Sequence, residues 1–323
     1  MGRTADWYQN FARTEARGQS AVYEDWASGV AVDLDVLRLL HELPLAKRQP
    51  NLIFAVSRLL GAPETGYAKF RLWLQAEWPR VAAEARVRST QTNEPGRCAA
   101  LLPLLARLPQ PLALLEVGAS AGLCLYPDRY SYSYNGSHRL DPAAGGSTVL
   151  LSSATTGAVP LPARLPDIVW RAGIDLAPLN VRDRADSTWL QTLIWPEQQE
   201  RLARIRSAMA IVRAEPPRIV KGDAVERLPD LAAQAPAHAT LVVVNSGTLV
   251  YLSRLNRQRF ADTVRSTGAH WISYEGTAVI AEVERRLPQP PATGLFALAE
   301  NGHPVAFAAP HGQSIHWIQR AGV

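Results

Sequence analysis

The chain has 323 residues, 47% of them hydrophobic, enough for one large core or a core domain with a smaller companion. Its 34 basic and 29 acidic residues give a net charge of +5, and no run of Lys or Arg marks a nucleic-acid surface or a polybasic membrane patch. Two cysteines, Cys98 and Cys124, stand outside any CxxC spacing, which argues against a zinc site or a disulfide framework.

The opening "MGRTADWYQNF" lacks the apolar region of a secretory signal and the sixth-position Ser or Thr of a myristoylation site, and no apolar run is long enough to span a bilayer. A soluble, cytoplasmic protein is expected, with a small-molecule substrate and with neither nucleic acid nor membrane as partner.

Residues 1–90 read as helical, forming a cap subdomain. "VAVDLDVLRLLHEL" places Val32, Val36, Leu39, Leu40 and Leu43 on one face, with Asp33 and Asp35 near the helix start. "NLIFAVSRLLG" follows Pro50 and stops at Gly61. "YAKFRLWLQAEWPRVAAEARVR" carries aromatic and apolar residues at helical spacing.

From Leu112 the pattern changes. "PLALLEVG" is a short apolar run ending in a Gly-rich turn, as a buried strand does. Four more such runs follow: "DIVWRAGIDL", "PRIVKGDA", "TLVVVNSG" and "AHWISYEG". Continuous apolar strands suit a parallel sheet covered on both faces. Helical stretches such as "EQQERLARIRSAMAIV", with Leu202, Ile205, Met209 and Val212 on one side, lie between several of them. The fold class is therefore α/β. "PVAFAAPHGQSIHWIQ" reads as a hairpin turning at Pro310-His311-Gly312 and closing the sheet edge. "DRYSYSYNGSHRLD" reads as a strand with Tyr130, Tyr132 and Tyr134 on one face.

Residues 114–123, "LLEVGASAGL", admit two chemistries. Gly118, Ser120 and Gly122 spell the G-x-S-x-G of a nucleophile elbow, with Ser120 activated by a later His and acid. Counted from Glu116, the same letters approach an acidic, glycine-rich turn that holds a nucleoside cofactor. There Gly118 and Gly122 allow close backbone approach, and Ser120 stands where a third glycine is usual. The other strand ends carry polar groups toward the same crevice: Asp175, Asp223, Asn245 with Ser246, and Glu275. The hydrolase reading lacks strands before its elbow and an HGG-type oxyanion turn upstream.

"LALLEVGASAG…GIDLAPLN…RIVKGDAVERLP…TLVVVNSG" resembles the S-adenosylmethionine-dependent methyltransferase pattern. That resemblance implies a Rossmann-like, methyltransferase-type sheet, mostly parallel, with a C-terminal antiparallel hairpin. It also implies S-adenosylmethionine as cofactor, held by Glu116, Gly118, Ser120, Gly122, Asp175, Asp223 and Ala224, with Asp175 on the ribose and Asp223 on the adenine. Asn135 competes with Asp175 as the end of the second core strand. More closely, "QTNEPGRCAALLPLL", "EVGASAGL", "DRYSYSY", "WRAGIDLAPLNV", "WPEQQERLARI", "GDA", "VYL" and "PHGQS" resemble the bacterial DUF2332 family, over about residue 91 to the C-terminus. A helical cap (1–90) on a methyltransferase-type core (91–323) follows.

Candidate acceptor contacts are Gln91, Asn93, Glu94 and Arg97, packed with Thr92 before a Leu-rich helix, although Thr92 or Asn93 would also serve as a helix cap. Arg171 would share a strand face with Asp175 and could equally pair with it. Asn245, Glu275, Tyr251 and His311 are the candidate catalytic groups. Methyl transfer asks mainly for alignment of donor and acceptor, so a general base is optional. Trp170, Trp189, Trp195 and Trp271 read as core. The remaining alternative is a non-catalytic nucleoside-binding protein of the same fold.

Overall fold

The computed structural model describes residues 2–287 and 294–318. They form eleven helices, α1 Gly2–Phe11, α2 Ala21–Val32, α3 Leu34–His41, α4 Pro50–Leu59, α5 Tyr67–Val87, α6 Arg97–Leu105, α7 Arg184–Thr192, α8 Gln199–Ala214, α9 Ala224–Ala232, α10 Arg254–Ser266 and α11 Ala281–Arg286. Eleven strands join them, β1 Leu112–Val117, β2 Ser131–Tyr134, β3 His138–Leu140, β4 Leu150–Thr156, β5 Ile168–Asp175, β6 Arg218–Lys221, β7 Thr240–Ser246, β8 His270–Gly276, β9 Phe296–Glu300, β10 His303–Ala308 and β11 Ser314–Trp317. Two compact units result, residues 1–92 with 182–206, and residues 93–181 with 207–323.

The first unit is helical. The run around Asp33 is two helices rather than one. Asp33 takes an extended backbone and its carboxylate accepts the N–H groups of Asp35 and Val36, capping α3. The break turns Val32 outward, 76% exposed, and the buried set becomes Val36, Leu37, Leu40 and Leu43. Pro50 opens α4 at its first turn, where its missing N–H costs nothing. The core is aromatic: Trp26 stacks on Phe70 at 3.8 Å, and Phe54 meets Tyr8, Tyr23 and Trp26 edge-on or tilted. Trp195 packs on Phe11 and Tyr23, and its indole donates to Asn51.

The second unit holds a mixed sheet in the order β3-β2-β4-β11-β10-β9-β8-β7-β1-β5-β6. Strands β6, β5, β1, β7 and β8 are parallel throughout. The order therefore runs third, second, first, fourth, fifth, and it reverses on either side of β1, the arrangement of a doubly wound sheet with its switch point at the central strand. Strand β9 then runs antiparallel to β8.

The C-terminal hairpin forms between β10 and β11, with Ala308 opposite Ile315. It does not close the sheet. Strand β11 pairs on its far side with β4, and β2 and β3 follow. The sheet continues because residues 127–156 supply β2, β3 and β4, whose edge hydrogen bonds would otherwise be unpaired. Tyr130, Tyr132 and Tyr134 are buried, and their hydroxyls donate to the carbonyls of Leu123, Pro127 and Ala99.

One face of the parallel core packs Leu115, Val117, Val243 and Trp271 against Leu228, Leu231, Phe260 and Val264 of α9 and α10. Helix α6 is buried along its whole length. No helix among the described residues is long and apolar enough to cross a membrane.

Candidate functional site

The turn after β1 is tightly built. Gly118, Ser120 and Gly122 have φ of +78°, +49° and +75°. Glycine bears this conformation freely; a serine there is strained. Ser120 is only 4% exposed. A methyl group added at Gly118 would lie 2.1 Å from Thr248 Oγ1, and one at Gly122 would meet the Pro217 ring at 2.8 Å. The glycines are thus required by neighbouring protein as well as by backbone angle.

Asp175 holds this turn. Strand β5 pairs directly with β1, Val117 opposite Ile174, so Asp175 rather than Asn135 ends the second core strand. Asn135 closes β2 on the other side of the sheet. Asp175 Oδ2 accepts the Ser120 N–H at 2.8 Å and Oδ1 accepts the Ala177 N–H at 2.8 Å. The half-buried carboxylate spends one lone pair per oxygen on these bonds and keeps the others.

Asn93 clamps the turn from beneath. Its amide donates to the Ala119 carbonyl and its oxygen accepts the Leu123 N–H, both at 3.2 Å. Glu94 is fully buried, and its Oε1 accepts the Gly96 N–H at 2.9 Å. Arg97 joins three segments, donating to the Pro310 carbonyl at 3.1 Å and to the Ser246 carbonyl and hydroxyl at 2.6 and 3.3 Å. The loop with His311 comes close here, since a methyl at Gly96 would sit 2.5 Å from the His311 carbonyl. Asn93, Glu94 and Arg97, expected as acceptor contacts, are engaged in bonds that hold the turn and the segments around it. Gln91 lies in the irregular stretch ahead of them.

Glu116 sits two residues before the turn and is 5% exposed. Its Oε2 has no hydrogen-bond partner among the described residues. Burial pushes its carboxyl well above the usual carboxylate range; Cys124 and Asp175 add to the shift and Arg97 opposes it. Glu116 is thus a buried acid that favours its proton.

Asn245 and Glu275 lie one residue before the ends of β7 and β8; Asn245 stands opposite Ser273, and Glu275 is two residues further along β8. Glu275 Oε1 accepts three donors, Asn245 Nδ2 at 2.8 Å, Thr248 N at 2.9 Å and Leu249 N at 3.0 Å. Asn245 Oδ1 accepts the Trp271 indole N–H at 2.7 Å. Both residues are buried, in a network that fixes the loop bearing Thr248 against Gly118. Burial raises the Glu275 pKa, against the lowering pull of its backbone and Asn245 bonds and of Arg97.

The remaining candidates scatter around this centre. Asp223 caps α9, accepting the Val225 N–H at 2.8 Å, and Ala224 opens that helix. Tyr251 is 79% exposed just past β7. Arg171 does not pair with Asp175. It forms a two-pronged bond with Asp128 at 2.8 and 3.0 Å, donates to the Leu125 carbonyl and lies over the Tyr126 ring. It stands four residues before Asp175 on β5, which puts it well below the rim. Thr248 and Asp128 are the participants that sequence reasoning missed; their only signal is position, just beyond a strand end and in an irregular loop. No group of three or more His, Cys, Asp or Glu side chains suited to a metal exists among the described residues.

A family model described as an uncharacterized protein conserved in bacteria, DUF2332, matches residues 5–317. The chain belongs to the DUF2332 family. The match reaches well upstream of residue 91, so the N-terminal helices are part of the DUF2332 chain and not an addition to it. No curated protein and no solved structure matches it.

Proposed function

We propose that this DUF2332 protein binds S-adenosylmethionine at the turn after β1 and methylates a small molecule. One observation carries the reading: at the point where the strand order reverses, the acid ending β5 holds the turn after β1, Asp175 to Ser120 N–H at 2.8 Å. Ligands of doubly wound sheets lie at such crevices.

The residues present fit the group. Asp175 retains lone pairs for the two ribose hydroxyls. Asp223 and Ala224 follow β6 at the same end of the sheet and would border the base. The orphaned Oε2 of Glu116 lies just behind the turn. The bound cofactor supplies an electrophilic methyl on a sulfonium. The protein's own part is to fix the turn through Asn93, Asp175 and Thr248 and to align an acceptor. Asn245 and Glu275 then act as supports of the crevice wall.

Calorimetric titration of the full chain with S-adenosylmethionine and S-adenosylhomocysteine tests this. Micromolar binding, weakened in Asp223→Asn, is expected. A folded protein that takes up neither ligand refutes it.

A second reading has one specific support. Ser120 adopts φ +49° at the centre of G-x-S-x-G, the strained setting of an elbow nucleophile. Against it, the turn leads into the three-residue helical turn Leu123–Leu125 and not into a full helix. Covalent labelling by a fluorophosphonate, lost in Ser120→Ala, would favour it.

A further inference from the structure

A cavity of about 450 Å³ lies between α10 and the segment Ala278–Arg285. Its floor is apolar, built by Ala261, Val279 and Ile280. One stripe of α10, Arg254, Arg257, Gln258, Ala261 and Arg265, forms its long wall at the spacing that puts side chains on one helix face. Both flanks start at the carboxyl ends of strands: α10 follows the loop after β7, and Ala278 stands just beyond the end of β8.

The four arginines on this cavity differ in what they do. Arg257 is spent on the backbone, donating to the carbonyls of Leu249, Leu252, Val279 and Val250. Arg265 is paired with Asp262 and Glu282. Arg254 and Arg285 have no hydrogen-bond or ion-pair partner among the described residues, although both line the cavity. Of the two lining acids, Glu282 is already neutralised by Arg265 and Arg286.

We infer that this cavity binds a small organic anion, a carboxylate carried on an apolar body. A guanidinium offers a planar fork matched to a carboxylate, and two uncommitted forks line the same cavity as Ala261, Val279 and Ile280. The volume suits a small ligand with a few fixed polar contacts. The inference rests on this cavity alone and holds whether or not the turn after β1 takes S-adenosylmethionine.

Octanoate, titrated into the full chain without any cofactor and followed by calorimetry, tests it. Saturable binding is expected, with n-octanol binding at least about fivefold more weakly. Arg254→Gln and Arg285→Gln should each weaken octanoate by about fivefold while leaving the thermal midpoint and the affinity for S-adenosylmethionine unchanged, since neither side chain holds protein. Absence of saturable octanoate binding overturns the inference. So does octanoate binding that is the same in both variants as in the parent.

Discussion

Glu275 offers the sharpest test of how the crevice wall is held. Its Oε1 satisfies three N–H groups, those of Asn245, Thr248 and Leu249. Glu275→Ala orphans all three, and a buried donor left unmade costs about 1–3 kcal/mol. The expected loss is roughly 3 kcal/mol or more, concentrated in the loop that presses Thr248 onto Gly118. Glu275→Gln keeps an oxygen acceptor in the same place and should cost less than about 1 kcal/mol. Hydrogen–deuterium exchange of residues 246–252 reads the loop directly: fast in the alanine variant, near parental in the glutamine variant.

The same residue predicts a pH effect. Burial raises the carboxyl pKa of Glu275 in the folded chain. As pH climbs past the ordinary glutamate value, the unfolded chain releases its proton first, so stability falls until the folded pKa is reached. Glu275→Gln removes that contribution, so its thermal midpoint should gain on the parent as pH rises from about 4.5 until the folded carboxyl ionises. An alanine variant with parental exchange, or a glutamine variant as damaged as alanine, refutes the reasoning.

Gly118→Ala should lower the unfolding free energy by about 2–4 kcal/mol, combining a left-handed backbone with a clash on Thr248; adding Thr248→Ala should restore only part, because the φ of +78° remains. Asp128→Ala should cost about 1–3 kcal/mol in a thermal unfolding series, because the buried Arg171 loses its two-pronged partner and keeps only Glu215, at 3.8 Å, as an acid beside it among the described residues, and Arg171→Met in the same chain should recover much of it. Equal loss in single and double variants would show that the pair is not the source.

Much of the core was legible because its signals are local. Continuous apolar runs ending in small or acidic residues gave β1, β5, β6, β7 and β8, and Gly118 and Gly122 marked the turn by what they lack. Asp175 was legible as a strand end, but its bond to Ser120 depends on β5 lying next to β1, which is a matter of sheet order. Asn93, Glu94 and Arg97 stood out as a polar cluster. Their work as struts appears only once α6 and the turn meet. Asn245 and Glu275 read as candidate reactive groups because strand ends commonly carry them; that each also satisfies a neighbour's buried polar atoms appears only in the folded sheet.

The sequence by itself determined the helical N-terminal region, the parallel core strands and the glycine turn, since periodicity, capping and steric freedom act over a few residues. Tertiary structure alone decided that β4, β2 and β3 extend the sheet beyond the hairpin, that residues 182–206 pack with the N-terminal helices, and that Arg171 chooses Asp128 over Asp175. Those outcomes depend on which edges and charges meet across long stretches of chain. An exposed sheet edge invites a further strand, and an interior charge demands a partner, so long-range pairing settles what local signals leave open.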